Sequence, residues 1–327
     1  MSEKLRNRII DIKGKRLLIA RIKDSLQEKD LSEPPNCNGY GRIRHFKRKP
    51  YDGWAADPLP IDPACKALAL SKTEIILAQV FQIAGCNWRC WYCFVPEELI
   101  SADENNALWM SPSNLIDLYL REPKKSPVID LSGGAPNLTP EWTLWMMQEL
   151  TARNLQNDVY LWSDDNLSND FFFKYLTSAE IEFIAAYRNY GHVGCFKGFS
   201  PESFTFNTQA NKELFNEQFK HIGRLIRSGL DVYAYVTFTT PNNDNIHSDI
   251  KKFIDELQKL DENLPLRTIP LKIIKFKPVQ KRIGDSYNDA IKYQWLALEV
   301  WQRELENRFP LDIRTQNIAD IKLGGHK

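Results

Sequence analysis

Gly85-Cys86-Asn87-Trp88-Arg89-Cys90-Trp91-Tyr92-Cys93-Phe94 holds three of the six cysteines of this 327-residue chain. The segment just before it, Glu74 to Ile83 (EIILAQVFQI), reads as a buried strand by its β-branched content. The same order of strand, then small or polar residues, then helical spacing recurs down the chain. Val128 to Leu131 (VIDL) precedes Ser132-Gly133-Gly134-Ala135-Pro136, and Val159 to Trp162 (VYLW) precedes Ser163-Asp164-Asp165-Asn166. Further strands are expected at Val193 to Phe199, Asp231 to Phe238 and Leu271 to Phe276, with helices near Lys212 to Ser228, Asn245 to Leu260 and Asn288 to Phe309. Six strand-then-helix units over ~240 residues predict an α/β fold, a partial (β/α)6 TIM-like barrel rather than a closed eight-stranded one. In such sheets chemistry sits beyond the carboxyl ends of the strands, so the three loops share one rim.

The expected division is an N-terminal helix and proline-rich extension over residues 1–71 and the barrel over 72–327. From Met1 to about Lys29, Leu5, Ile9, Ile10, Leu17, Leu18, Ile22 and Leu26 space as one face of an amphipathic helix. Ser32 to Ala67 is dense in proline, which predicts an irregular segment held on the body by Tyr40, Phe46, Tyr51 and Trp54. Its basic run, Tyr40-Gly41-Arg42-Ile43-Arg44-His45 with Lys47-Arg48-Lys49, either shields the open barrel edge along with the rest of the segment or contacts an anionic partner. The aromatics Trp142, Trp145, Phe171, Phe172, Phe173, Trp295 and Trp301 fall in helical segments and are expected in the core.

Lys plus Arg at 43 against Asp plus Glu at 42 gives a net charge of +1, so nucleic acid is not indicated as a partner. No run reaches the ~18 apolar residues of a membrane span, and the charged first residues do not resemble a secretory signal, so a cytoplasmic location with no membrane partner is expected.

Crowded cysteines in such a chain point to metal ligation or redox chemistry. A tetrahedral zinc site needs four ligands, and Cys65, Cys195, His45 or His192 would have to supply the fourth through the fold. Three thiolates on a four-iron cubane instead leave one iron open, as a small chelating cosubstrate requires. Cys37, Cys65 and Cys195 are scattered singly, which predicts one cluster only.

Cys86-x3-Cys90-x2-Cys93, with Tyr92 before the last cysteine, resembles the C-x3-C-x-φ-C signature of the radical S-adenosylmethionine (radical SAM) superfamily. Ser132-Gly133-Gly134-Ala135-Pro136 is similar to that family's G-G-E-P loop, and Leu161-Trp162-Ser163-Asp164 falls where it often has Thr-Asn. Within the superfamily, Cys93-Phe94-Val95-Pro96-Glu97, Phe196 to Glu202, Asn207-Thr208 and Gly229 to Val232 resemble the pyruvate formate-lyase (glycyl-radical enzyme) activating enzymes. The resemblance implies an oxidoreductase with one 4Fe-4S cluster on Cys86, Cys90 and Cys93, S-adenosyl-L-methionine as cosubstrate, and an electron donor such as flavodoxin or ferredoxin. It also implies adenine contact at Tyr92, methionine contact at Gly133, Gly134 and Ser163, and cosubstrate contact at Lys197. Each has a plainer reading: Tyr92 packing on a strand, the glycines forming a tight turn, Lys197 in an ion pair, and Asp164, Asp165 or Asn166 capping a helix over Leu167 to Phe173.

Two positions depart from the pattern. Ala135 stands where the family has Glu, and Cys195 where an acidic residue precedes the lysine. On the family pattern Ala135→Glu restores a carboxylate and tightens S-adenosylmethionine binding about tenfold, while backbone carbonyls at Gly133 and Gly134 otherwise serve the amino group. The implied activity is reductive cleavage of S-adenosylmethionine to a 5′-deoxyadenosyl radical and hydrogen abstraction, with a protein substrate as for an activase. The alternatives are a small metabolite, nucleotide or RNA substrate, or a catalytically silent metal-binding partner protein. The sequence singles out no catalytic residue and no substrate.

Overall fold

The structure is a computed structural model and describes residues 2–50, 55–280, 282 and 285–324, so Tyr51 and Trp54 lie outside it. Among the described residues ten strands form two sheets: β1 (Ile10–Asp11), β2 (Arg16–Ala20), β3 (Gly41–Lys47), β4 (Ile75–Phe81), β5 (Ala107–Met110), β6 (Val128–Leu131), β7 (Tyr160–Asp165), β8 (Tyr190–Phe196), β9 (Val232–Thr237) and β10 (Thr268–Leu271). The larger sheet has the order β10-β9-β8-β7-β6-β4-β3. Its six strands from β4 to β10 are mutually parallel, and β3 runs antiparallel along β4 from Gly41 opposite Phe81 to Lys47 opposite Ile75. Neighbours in the sheet are neighbours in the chain, so right-handed crossovers place the helices on one face and the sheet curls around the other. This is a partial (β/α)6 TIM-like barrel with one added antiparallel strand.

Alternation along the strands divides the core in two. Ile76, Ala78, Val128, Tyr160, Trp162, Val193, Cys195, Tyr233 and Tyr235 pack together inside the curl with Phe46 of β3. Phe81, Ile129, Leu131, Leu161, Phe196, Val232 and Val236 face the helices and join the larger core. Helices Leu214–Arg227 and Ile246–Leu260 fall close to their expected positions, and Asp285–Arg308 starts three residues before its expected start at Asn288.

Five sequence expectations are corrected. The first thirty residues are not one helix: a single turn, Ser2–Arg6, leads into the β1-β2 hairpin, whose turn contains Gly14. Leu17 to Ala20 pairs with β5, and Leu18 O accepts from Ala84 N at 2.8 Å. Tertiary pairing there overrides a periodicity that helix and short strands share. The proline-rich segment is also not irregular throughout, because its prolines lie outside β3, and Pro63 falls in the first turn of the helix Ile61–Ala67, where its missing N–H costs nothing. The third parallel strand runs on to Asp165, so Ser163, Asp164 and Asp165 are strand residues and not a loop.

The last strand is Thr268–Leu271, ahead of the expected Leu271 to Phe276. Pro270 is tolerated because β10 is an edge. Beyond it Ile273 finds a side chain instead of a strand: its N donates to Gln294 Oε1 and its O accepts from Gln294 Nε2, both at 2.9 Å. Trp142, Trp145, Phe171, Phe172 and Trp301 are buried as expected, but Trp295 is 55% exposed, with the Lys272 ammonium 4.9 Å from its ring.

Candidate active site at the carboxyl rim

Residues 82–106, after β4, carry the three cysteines on a loop anchored at both ends. Ala84 pairs with Leu18 and Ala102, and Cys86 N donates to Ile100 O at 3.0 Å. Further along, Arg89 N and Trp91 N donate to Thr208 O and Asn207 O, tying the loop to the end of helix Pro201–Thr208. Arg282 closes the other side, its guanidinium donating to Cys93 O at 3.0 Å and Val95 O at 3.2 Å.

The thiols of Cys86, Cys90 and Cys93 lie within one another's electrostatic reach. Burial first, and the neighbouring thiols second, push Cys86 up to about 12. Burial pushes Cys90 up to about 11, with Lys197 acting against it and Cys93 with it. Asn166 faces Cys86, its Nδ2 being 3.8 Å from Sγ. Among the described residues no group of three His, Cys, Asp or Glu is arranged around a single ion. A four-iron cubane is a wider target, taking its thiolates on three separate corners. Of the proposed fourth ligands, His45 pairs with Glu33 at 2.9 Å, and His192 is held by Asp165 and Tyr190.

The Gly-Gly loop lies against the cysteine loop. Gly133 and Gly134 both have positive φ, +83° and +66°, where glycine is the low-cost residue. A Cβ on Gly134 would stand 2.3 Å from Ile83 O and 2.6 Å from Gly85 O, and one on Gly133 would stand 2.7 Å from Gln82 Cγ. Close packing against the residues after β4 is therefore reason enough for both glycines. Gly134 O already accepts from Asn166 Nδ2 at 3.2 Å. Ala135 is fully buried in the helix-side core, with its N donating to Gly85 O at 2.7 Å.

Of the other expected site residues, Tyr92 and Lys197 lie within reach of Cys90, and Ser163 faces away. Tyr92 is buried beside Trp91, with its hydroxyl 3.1 Å from Thr237 Oγ1 at the end of β9. Ser163 faces the helices: its Oγ is 2.7 Å from Tyr190 OH, which is 2.8 Å from His192 Nδ1, while His192 Nε2 is 3.2 Å from Asp165 Oδ2. Serine, histidine and aspartate are thus together, but all are nearly fully buried. Asp165 also accepts from Leu167 N, an Asx turn rather than a helix cap, since the helix begins at Phe171. Lys197 follows Cys195 on the inside of the sheet. Burial opposes its charge, but Cys195, Cys90, Cys86 and Asp164 together raise its pKa.

Sequence reasoning missed the polar layer inside the curl. Arg44 of β3 donates to Asp130 Oδ2 at 3.0 Å and to Asp57 Oδ2 at 2.6 Å, and Tyr235 OH also donates to Asp57. Arg42 reaches Gln82 Oε1 at 3.4 Å and lies 5.3 Å over the Phe94 ring. Burial and Asp164 raise Asp130 to about 7 against the pull of Arg44 and Arg42. The three arginines of the basic run are thus engaged internally, with Arg48 paired to Asp62 at 2.6 Å. An alternation of Arg42, Arg44 and Phe46 on one face was the available signal, masked by the surrounding prolines.

No family model matches the chain, and no curated protein does. Solved structures with a similar course include SuiB of Streptococcus suis, bound to precursor peptide SuiA (13% identity, TM-score 0.44, covering 69% of this chain and 46% of that one). SuiB bound to S-adenosylmethionine gives 14% identity and a TM-score of 0.41, covering 68% and 46%. TsrM from Kitasatospora setae, a radical S-adenosylmethionine methyltransferase with cobalamin and a 4Fe-4S cluster bound, gives 17% and 0.38, covering 54% and 33%. The matches span less than half the length of each of these proteins. No helix among the described residues is long and apolar enough to cross a membrane.

Proposed function

We propose that this chain is a radical SAM oxidoreductase. The observation that carries the reading is the trio of cysteines within electrostatic reach of one another on one anchored loop after the first parallel strand, with the Gly-Gly loop beside it and Lys197 also within reach. The donor set fits: Cys86, Cys90 and Cys93 would hold a 4Fe-4S cluster by three corners and leave the fourth for S-adenosyl-L-methionine. When bound, that pair supplies one-electron cleavage of the sulfonium and a 5′-deoxyadenosyl radical able to take a hydrogen atom. The chain's own residues do the rest. The loop's backbone bonds fix the thiols, Arg282 covers the loop carbonyls, and the aromatic wall of Trp91, Tyr92, Phe206 and Tyr287 keeps water from one side.

Anaerobic reconstitution is expected to give about four irons per chain. Replacing Cys86, Cys90 or Cys93 by Ala abolishes the charge-transfer absorbance, while replacing Cys37, Cys65 and Cys195 together does not. The reduced parent releases 5′-deoxyadenosine. Stoichiometric zinc with no iron uptake overturns the reading, and a loaded cluster without cleavage leaves the silent metal-binding alternative. The finer reading, hydrogen abstraction from a protein with an external flavodoxin or ferredoxin as donor, rests on the run Cys93 to Glu97 and its later counterparts. A glycyl-radical signal in a co-purified partner is its test.

A further inference from the structure

The polar layer inside the curl leaves one cation without an ion-pair partner. Arg42 stands on the same face of β3 as Arg44 and Phe46, and its place opposite Val80 puts it at the rim end of the strand. It is 8% exposed. Among the described residues its guanidinium makes a single hydrogen bond, the 3.4 Å contact from Nε to Gln82 Oε1, an oxygen that already accepts from Gln27 Nε2 at 2.7 Å. Both Nη nitrogens are left without an acceptor, whereas Arg44, two residues on, takes Asp130 and Asp57. The Phe94 ring lies 5.3 Å from the Arg42 guanidinium, which sets that cation beside the cysteine loop. Burial first, and Arg44 second, hold its pKa down to about 10, with Asp130, Asp164 and Asp57 opposing. Across the same layer Asp130 Oδ1 and Asp164 Oδ1 are buried without partners. A buried cation and buried carboxylate oxygens that share one lumen without closing on each other call for a polar ligand group between them. Arg42, Arg44 and Lys197 balance Asp57, Asp130 and Asp164 in charge, so the layer suits a single negative charge rather than a dianion such as phosphate.

We propose that Arg42 anchors a carboxylate of the substrate at the mouth of the lumen. The planar fork of a guanidinium matches a carboxylate with two parallel N–H···O bonds. That the carboxylate belongs to a substrate rests on the function proposed above, and the test separates the two. Ligand-observed NMR on the iron-loaded protein with S-adenosylmethionine compares propionate with propionamide, its uncharged isostere. The parent is expected to hold propionate about tenfold or more tighter, and Arg42→Gln to lose that preference while iron content and S-adenosylmethionine affinity stay within about threefold of the parent. Equal affinity of the parent for both probes overturns the assignment. So does a preference that survives in Arg42→Gln, which places the anion on another cation. A larger loss of S-adenosylmethionine affinity in the variant also overturns it, since the guanidinium would then serve the cosubstrate. If Arg42→Gln does not fold, Arg42→Met, which leaves no buried polar group, replaces it, and failure of both shows a structural role and overturns the assignment. Release of 5′-deoxyadenosine is scored on the same samples. A parent that prefers propionate without cleaving keeps the anion site and loses the function, and one that cleaves without the preference does the reverse.

Discussion

Ala135→Glu reverses the expectation drawn from sequence. The family pattern predicts tighter cosubstrate binding, but the methyl of Ala135 is fully buried in the helix-side core with Ile83, Cys86, Trp88 and Leu138. Four added heavy atoms overpack that core at about 1–3 kcal/mol. Burying the carboxylate as an ion costs several kcal/mol more, and escaping by protonation costs about 1.4 kcal/mol for each unit by which the pKa must rise. The sum is on the order of 4–6 kcal/mol, comparable with the whole stability of many domains. Urea unfolding of the apo protein measures it, with Ala135→Gln separating volume from charge. The introduced carboxyl has a folded pKa above its unfolded value of about 4.3, so the native state holds the proton more tightly. The Glu variant's deficit relative to Gln is therefore smallest near pH 5 and grows as pH rises toward 8. An Ala135→Glu protein within ~1 kcal/mol of the parent at pH 8, binding S-adenosylmethionine tenfold tighter, would show that the side chain reaches the rim and would refute the argument.

Glu141→Gln strands Arg6, whose guanidinium is 4% exposed and also donates to Leu138 O at 2.8 Å; a loss of about 3–5 kcal/mol in urea unfolding is expected, and a loss under ~1 kcal/mol would contradict a buried pair. Gly134→Ala is expected to destabilise by at least ~2 kcal/mol, since its φ of +66° and a contact at 2.3 Å to Ile83 O leave no room; an unchanged melting temperature counts against it. Deleting residues 1–71 removes β3, bares the β4 edge and takes Arg44 from Asp130, so the product is expected to be insoluble. A soluble, iron-loaded truncation would rule out this structural role.

The parallel sheet was legible because its strands are short apolar runs, each followed by a helix with clear periodicity, as at Leu214–Arg227. The cysteine trio and the Gly-Gly turn were legible because spacing within one loop survives folding. Non-local pairing was not. Leu17 to Ala20 finds β5 some ninety residues away, a partner no local pattern announces. Ser163 and Asp164 are neighbours in sequence but face opposite sides of the sheet. Which one meets the rim depended on strand three continuing to Asp165, and boundaries are where propensity is weakest. The Arg42, Arg44, Asp130 and Asp164 layer needed three strands in register before its charges met.

The strict agreement between sheet order and chain order has a consequence for synthesis. As the polypeptide leaves the ribosome, β3 and β4 can pair first, and each later strand finds an edge already waiting, so no strand must be inserted between two others. The cysteine loop is made early in this sequence, yet Arg282, which grips its carbonyls, follows Cys93 in the chain by 189 residues. A nascent chain therefore presents its thiols on a formed sheet before the clasp can shut.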